Sequence, residues 1–367
     1  MNIYLQYILA FVATASLSAV LTLIIKAVAQ RRGILDQPTI SRKIHSSPVP
    51  LLGGLAVIGA FSVITLVVTY SSDIVIGQHI AFKNILAVII AGLILGVSGW
   101  LDDRYQLRPS RQLIGPFLAI LTVIVGGIGI TQVSNPFGGL LHLDAYQWVL
   151  LWWHGVPYRL TLPADAFTVI WLLGMMYTVK LLDGLDGLVA GMGTIGALVI
   201  FLLSSATRWW QPETAMLSII LAGACFGFLF FNWYPAKIFL GESGPLFIGF
   251  ILGVLAIISG AKIATALLIM GVPILDVVWV VIRRAVWERA NPFTTADRKH
   301  LHFRLLDVGF SHRQAVAVLY AFSLIFGSLA LFLQSLGKVF ALAALLVVML
   351  CFGAFLVILT QSKDKQL

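Results

Sequence analysis

Charged residues and cysteines are both scarce in this chain. Of its 367 residues only 11% are Asp, Glu, Lys or Arg, whereas 60% are hydrophobic. Such a composition excludes an ordinary water-soluble domain, in which about 25% of residues are charged. The two cysteines, Cys225 and Cys351, each lie in an apolar run, which argues against a disulfide framework and a cysteine-based metal site. Repeats, low-complexity tracts and soluble segments are also lacking, so the sequence predicts a single integral-membrane domain over 1–367.

Apolar runs of membrane-spanning length recur along the whole sequence. A spanning helix needs about 20 mostly apolar residues, and these runs predict an all-α, polytopic membrane protein with about eleven transmembrane helices. The first run lacks a basic leader and a small-residue cleavage site, so it is predicted to span the membrane rather than to act as a signal peptide. The predicted spans are 3–29, 52–70, 84–100, 112–131, 166–182, 187–205, 214–232, 244–260, 262–282, 315–335 and 338–361.

Basic residues are concentrated in the loops on one side of these predicted spans. The positive-inside rule places that side in the cytoplasm, with the N-terminus outside and the C-terminus in the cytoplasm. The net charge of +9 is therefore attributed to membrane orientation rather than to nucleic-acid binding. The opposite side carries one long loop, 132–165, in which Trp148, Trp152 and Trp153 predict an anchor at the membrane interface.

An acidic pair stands out in the predicted cytoplasmic loop 180–188. Asp183 and Asp186 lie three residues apart, and each is followed by glycine. If they stand on a helix, this spacing puts both carboxylates on one face, and the glycines allow a backbone or a ligand to approach closely. A metal ion or a phosphorylated ligand suits such a pair at a bilayer surface. A glycine-capped helix end with solvated acids is the alternative.

Two earlier cytoplasmic loops, near 30–51 and 101–111, add charge of both signs. Lys43 and His45 belong to a basic cluster that suits a lipid headgroup or a nucleotide phosphate, although positive-inside topology alone also explains it. Asp102 and Asp103 are adjacent carboxylates, which repel each other unless a cation lies nearby. That situation suits a metal ion or a proton transfer, and a solvated helix end beside Arg104 is the alternative.

The last two cytoplasmic loops, near 232–244 and 283–314, mix polar and aromatic types. The first contains Asn232, Lys237, Phe239 and Glu242, a mixture that suits a planar base stacked on a ring beside a phosphate. The second contains paired histidines among basic residues, which favours anion contact over structural zinc; its candidates are Arg298, His300, His302 and Arg304. Asp276 lies inside a predicted span, where an ionisable side chain is functional by default.

Together these clusters predict a membrane-embedded phosphoryl-transfer site. Carboxylates with substrate phosphates are the ligands that Mg²⁺ prefers, and an acceptor that lives in the lipid fits a site at the bilayer surface. A transporter would distribute polar positions through the bilayer depth, often in a repeat. The clustering of polar residues at one surface disfavours that reading.

The sequence resembles the polyprenyl-phosphate N-acetylhexosamine-1-phosphate transferase family, also called glycosyltransferase family 4. The resemblance covers about 33–314 and rests on Asp183–Leu188, Pro235–Phe239 and Asp297–Asp307. It is greatest to the bacterial undecaprenyl-phosphate N-acetylglucosamine-1-phosphate transferase branch. The resemblance implies transfer of N-acetylhexosamine 1-phosphate from a UDP-sugar to undecaprenyl phosphate with release of UMP, as the first membrane step of cell-envelope polysaccharide synthesis. It also implies the bacterial plasma membrane, an active site facing the cytoplasm and a homodimer, and no nucleic-acid partner.

The resemblance also implies roles for individual residues. Asp102, with Asp103 beside it, matches the proposed base for the lipid phosphate, and Asp183 orders the polar site. The implied metal is Mg²⁺, with Mn²⁺ as an alternative, and its implied ligands are Glu242, Asp183 and Asp103. His300 and His302 match the motif that faces the diphosphate. The uracil contacts implied are Asp186, Asn232 and Phe239, and the other substrate contacts are Lys43, His45, Lys180, Lys237, Asp276, Arg298 and Arg304.

Three positions depart from the family pattern. Relatives usually carry Asn at Lys180 and Asp at Glu242, and the N-acetylglucosamine branch often carries His at Phe303. Lys180 adds a positive charge, which would bind the diphosphate directly or pair with Glu242. We hypothesise that Lys180 and Glu242 are a coupled exchange that alters metal dependence without abolishing transfer. A catalytically impaired relative that binds polyprenyl phosphate is the alternative.

Overall fold

A computed structural model describes residues 2–38, 47–72, 74–77, 80–135, 139–145, 147–153, 156–207, 210–260, 263–288 and 300–364. Most of this part of the chain is helical. The helices are α1 Ile3–Arg32, α2 Gly53–Ser71, α3 Phe82–Tyr105, α4 Pro109–Gln112, α5 Ile114–Val125, α6 Leu162–Leu182, α7 Leu188–Ser205, α8 Pro212–Asn232, α9 Ser243–Ile258, α10 Ile263–Ile269, α11 Gly271–Ile282, α12 Leu301–Val308, α13 His312–Phe332 and α14 Ser335–Asp364. A π-helical turn, Arg283–Trp287, continues α11.

Helix ends coincide with local capping signals in the sequence. The side chain of Asn2 accepts a hydrogen bond from the Tyr4 amide at 3.0 Å and so caps the start of α1. The same helix ends at Gly33, whose φ of 65° is a left-handed conformation that glycine adopts without strain. Ser311 and Gln314 form a reciprocal capping box at the start of α13. Short-range sequence chemistry therefore sets these boundaries.

The predicted number of eleven transmembrane helices is not confirmed. Within the described residues, eight helices are long and apolar enough to span a membrane, or up to nine if one bent pair counts as a span. That pair, Ile263–Ile269 with Gly271–Val286, bends by 81°, where one span over 262–282 was predicted. The predicted spans 112–131 and 244–260 coincide with the shorter apolar helices Pro109–Val125 and Ser243–Ile258. The orientation of the termini stays a prediction.

Within the described residues, three antiparallel hairpins add to the helices, so the all-α prediction holds for the helical bundle and not for these loops. Strands β1 Leu35–Asp36 and β2 Val49–Pro50 pair with each other, as do β3 Gln132–Ser134 with β4 Leu140–His142, and β5 Gln147–Trp153 with β6 Val156–Thr161. The last hairpin occupies the predicted anchor loop, where aromatic and β-branched residues favour strands. Trp148 and Trp152 on β5 are exposed, as an interfacial position requires.

Helices α8 and α9 form the centre of the bundle. The side chains of α9 are buried from Ser243 to Ile257, and α8 packs against α1 and α7. Gly227 on α8 lets α1 approach closely, since any larger residue there would place a Cβ that overlaps the Ala15 backbone. Ser18 Oγ on α1 donates a hydrogen bond to the Ala224 carbonyl at 2.7 Å. This tight packing fixes the helix ends from which the polar site is built.

Candidate active site

A cavity of about 660 Å³ opens at one end of the bundle, where α3, α6 and α8 end and α7 and α9 begin. It collects residues from loops that are far apart in the sequence. Its lining combines acidic, other polar and aromatic side chains. Lining residues include Asp36, Asp102, Asp103, Gln112, Lys180, Asp183, Asp186, Asn232, Tyr234, Phe239, Glu242, Phe303 and His312.

The adjacent carboxylates Asp102 and Asp103 lie in the last turn of α3, which continues beyond the predicted span end at 100. Asp102 is buried, and its Oδ1 accepts hydrogen bonds from the Leu107 amide at 2.9 Å and from Gln112 Nε2 at 3.2 Å. Asp103 accepts the amide of Glu242 at 3.1 and 3.3 Å. Because Glu242 occupies the N-cap position of α9, the Asp103 carboxylate that accepts its amide complements the positive end of that helix.

Lys180 and Glu242, both in the cavity lining, form a salt bridge. The distance from Lys180 Nζ to Glu242 Oε2 is 2.6 Å, and Lys180 Nζ also donates to Gln112 Oε1 at 3.2 Å. The lysine side chain is 19% exposed and the glutamate 36%, so both still reach the cavity. The structure thus brings together the two positions at which the sequence departs from the family pattern.

The acidic pair Asp183 and Asp186 does not stand on a helix. Helix α6 ends at Leu182, and glycine at 184 and 187 leads the chain through a turn into α7. Asp186 Oδ2 accepts the Ala236 amide at 2.9 Å and so ties this turn to the loop after α8. Asp183 lines the cavity at the turn that follows α6. Burial, with the nearby carboxylates of Glu242 and Asp186, raises the pKa of Asp183 to about 7.

Asn232 serves the backbone rather than presenting its amide to the cavity. The side chain is 5% exposed; its Oδ1 accepts the Gly187 amide and its Nδ2 donates to the Ile238 carbonyl, each at 3.0 Å. These bonds join the start of α7 to the loop that carries Phe239. All three residues assigned to the uracil from the resemblance, Asp186, Asn232 and Phe239, line the cavity.

The histidine motif lies behind the acidic turn rather than in the cavity lining. His300 Nδ1 is 2.8 Å from Asp276 Oδ2, and the Leu301 amide donates to Asp276 Oδ1 at 2.9 Å. Helix α11, the second half of the bent pair, therefore holds the start of α12 through Asp276. His302 is 1% exposed and packs against Gly184, where a Cβ would overlap the imidazole. Burial lowers the pKa of His302 to about 4, so its ring is neutral at neutral pH.

The remaining predicted site residues are placed differently or fall outside the described residues. Lys237 is exposed beside the cavity, and Arg304 is half-buried on α12; neither lines it. Lys43, His45 and Arg298 lie outside the described residues, so the structure says nothing of their predicted roles.

Gln112, Tyr234 and His312 are among the lining residues that sequence reasoning missed. The Tyr234 and His312 rings stack with centroids 4.2 Å apart, and His312 Nε2 lies 3.4 Å from the Asp186 carbonyl oxygen. The aromatic density of the loop after α8 was the available signal for Tyr234. Nothing in the local sequence pointed to Gln112, whose partners lie on other helices.

The donor chemistry of the cavity fits Mg²⁺, the ion that the family resemblance implies. Several carboxylates line the cavity, and Mg²⁺ commonly binds one or two protein carboxylates together with substrate phosphates and water. In the part of the chain that the structure describes, no three His, Cys, Asp or Glu side chains converge as a metal cluster. Asp183 and Glu242 both line the cavity close enough to interact electrostatically, whereas Asp103 is engaged with the α9 amide.

Comparison with known proteins assigns the family. Glycosyl transferase family 4 matches residues 85–260. A Bacillus subtilis protein named "Probable undecaprenyl-phosphate N-acetylglucosaminyl 1-phosphate transferase" is 30% identical over 90% of this chain and 86% of its own length. The chain belongs to glycosyl transferase family 4. The resemblance inferred from the motifs is thereby confirmed.

Other members of glycosyl transferase family 4 match over similar lengths. The decaprenyl-phosphate N-acetylglucosaminephosphotransferase of Mycolicibacterium smegmatis is 31% identical over 81% of this chain and 74% of its own. The phospho-N-acetylmuramoyl-pentapeptide-transferase of Halalkalibacterium halodurans is 27% identical over 90% of this chain and 97% of its own. The protein is a glycosyl-1-phosphate transferase of this family and a multi-pass membrane protein.

Proposed function

We propose that this transferase moves N-acetylhexosamine 1-phosphate, with N-acetylglucosamine as the preferred sugar, from a UDP-sugar to undecaprenyl phosphate. A lipid phosphate oxygen attacks the β-phosphorus of the donor, the bond from that phosphorus to the bridging oxygen breaks, and UMP leaves. The products are undecaprenyl diphosphate sugar and UMP. The names of the Bacillus subtilis and Mycolicibacterium smegmatis relatives support the acceptor class and the sugar.

The observation that carries this proposal is the composition of the cavity. Its volume of about 660 Å³ suits a nucleotide sugar. Its lining holds the acids and the Lys180 cation that a diphosphate and its metal require, together with Phe239 for a planar base. The cavity lies at the ends of apolar helices, where a phosphate on a lipid chain can reach it.

Positioning and charge neutralisation account for most of the acceleration in phosphoryl transfer. Asp102 orients the acceptor phosphate and takes its proton, if it carries one, while Lys180 offsets charge on the donor diphosphate. Asp183 and Glu242 would hold Mg²⁺, which supplies charge neutralisation at the phosphates when bound. Phe239 stacks on the uracil, and Asp186 fixes the loop that carries this ring through the Ala236 amide.

The decisive experiment uses the purified full chain in detergent with undecaprenyl phosphate and a panel of UDP-sugars. UMP release and the mass of the lipid product are measured with Mg²⁺, with Mn²⁺ and with a chelator. We expect lipid-dependent UMP release, greatest with UDP-N-acetylglucosamine, and loss of at least about a hundredfold in Asp102→Asn. Absence of a lipid diphosphate sugar with every donor would refute the assignment.

A second candidate, a catalytically impaired relative that binds polyprenyl phosphate, draws on one observation. Lys180 already occupies the Glu242 carboxylate that would hold the metal. In the same assay this candidate predicts saturable undecaprenyl phosphate binding without UMP release.

We propose further that the cavity faces the cytoplasm of a bacterial plasma membrane, since the described basic residues Arg104, Lys180 and Lys237 lie at or beside that end. Labelling of single cysteines placed in the exposed loops tests this orientation. The homodimer stays a prediction, tested by the mass of the detergent-solubilised protein.

A further inference from the structure

Gln112 connects two charged groups of the cavity that belong to different helices. It is the last residue of α4, the short helix between α3 and α5. Its Nε2 donates to Asp102 Oδ1 at 3.2 Å and to the Leu107 carbonyl at 3.1 Å, and its Oε1 accepts from Lys180 Nζ at 3.2 Å. A continuous chain of contacts therefore runs from Asp102 through Gln112 to the Lys180–Glu242 salt bridge.

The polarity of these partners requires an amide in one orientation. Both N–H groups of the Gln112 amide face acceptors, the Asp102 carboxylate and a backbone carbonyl. The amide oxygen faces an ammonium group, which can only donate. A flipped amide would set oxygen against oxygen and N–H against N–H. A glutamate in the same place would present acceptors to the Asp102 carboxylate, so shape alone does not satisfy the position.

This arrangement leaves one reactive group free on each side of Gln112. Asp102 Oδ1 is occupied by two donors, whereas Asp102 Oδ2 accepts no hydrogen bond from any residue that the structure describes. Lys180 has three N–H donors, of which Glu242 and Gln112 each receive one. The second Asp102 oxygen and the third Lys180 donor thus remain for ligands of the cavity that both residues line.

We infer that Gln112 is a positioning residue for phosphoryl transfer, which aims Asp102 Oδ2 at the acceptor phosphate and a Lys180 N–H at the donor diphosphate. This inference rests on the proposed function. Gln112 itself acts through its two partners. An error of about 1 Å in such groups costs roughly a hundredfold in rate, so a residue that aims two of them should affect turnover more than substrate affinity.

A purely structural role makes different predictions. In that case Gln112 would only hold the 106–112 turn, and an isosteric glutamate would be tolerated better than a methionine. The positioning role predicts the reverse order, because the glutamate repels the Asp102 carboxylate while methionine only removes the contacts. A structural role also lowers the amount of folded protein, whereas positioning changes the turnover of folded protein.

The test compares Gln112→Met and Gln112→Glu with wild type and with Gln334→Glu, a charge-matched change at an exposed position outside the cavity lining. Turnover is measured as UMP release per folded enzyme, with KM for donor and acceptor and the thermal midpoint. We expect kcat to fall about tenfold in Gln112→Met and further in Gln112→Glu, with KM values within about threefold and unchanged midpoints. Gln334→Glu should match wild type.

A double-mutant comparison identifies the route. If Gln112 acts through Lys180, the fold-loss caused by Gln112→Met should be at least about threefold smaller in a Lys180→Met background. Kinetics of Gln112→Met within about twofold of wild type would overturn the inference. So would losses that multiply across the two substitutions, or a loss explained by a lower folded fraction.

Pyrophosphate binding provides a readout that needs no turnover. Calorimetry should show binding that is about twofold to threefold weaker in both Gln112→Met and Lys180→Met, with no further loss in the double variant. Equal affinity in wild type and Gln112→Met would overturn the inference. Should wild type release no UMP at all, the proposed reaction fails, and the pyrophosphate comparison alone then decides whether Gln112 positions Lys180 at a phosphate subsite.

Discussion

Acidification should destabilise this protein through one buried histidine, His302. Its side chain is 1% exposed, and neither ring nitrogen has a hydrogen-bond partner within the described residues. Burial lowers its pKa from 6.5 to about 4, and the adjacent His300 acts in the same direction. Asp276 opposes this shift without cancelling it.

The sign and size of the effect follow from proton linkage. Between about pH 6.5 and pH 4 the unfolded chain binds a proton at this histidine and the folded chain does not, so stability falls as the pH falls. The stability lost through His302 is zero above about pH 6.5, and the loss levels off below about pH 4. The gap between 6.5 and about 4, at about 1.36 kcal/mol for each pKa unit, corresponds to about 3 kcal/mol.

The assay is thermal unfolding of the detergent-solubilised protein at a series of pH values. Wild type is compared with His302→Gln, which cannot titrate, and with His142→Gln, in which the replaced histidine is 60% exposed. Because carboxylates also titrate in this range, the informative quantity is the difference between variants. We expect His302→Gln to lose less stability than wild type between about pH 7 and about pH 4.5, and His142→Gln to follow wild type. Parallel curves for wild type and His302→Gln would refute the reasoning.

Two further predictions concern the close packing and the ion pair of the site. Gly184→Ala should lower the free energy of unfolding by about 1–3 kcal/mol, and with it the thermal midpoint and turnover, since its Cβ would overlap the His302 ring. Gly174→Ala, where nothing lies within 4 Å, is the matched control and should not destabilise the protein. Lys180→Asn and Glu242→Asp should each alter the Mg²⁺ dependence of turnover, and the double variant should depart from additivity by at least about 0.5 kcal/mol because the two side chains form one salt bridge. Strictly additive effects would contradict the coupled exchange, and an unperturbed Gly184→Ala midpoint would contradict the packing.

The sequence by itself determined the class of protein and its family. Long apolar runs and scarce charge dictate helices in a membrane, because a bilayer offers no water to unpaired backbone groups. Short contiguous motifs, such as Asp183–Leu188, identified glycosyl transferase family 4, and both acidic residues of Asp183–Leu188 line the cavity. The exchange at Lys180 and Glu242 was also visible, since each residue lies three positions from a motif that the family shares.

The tertiary structure decided which residues meet and which of their atoms remain free. Gln112 contacts Lys180 across 68 positions of sequence, and Asp103 contacts Glu242 across 139. Such pairs form where helix ends converge, and their geometry depends on packing between helices, which local patterns do not encode. For the same reason the bend before Asp276, the burial of His302 behind Gly184 and the use of the Asn232 amide by the backbone emerged only from the folded chain.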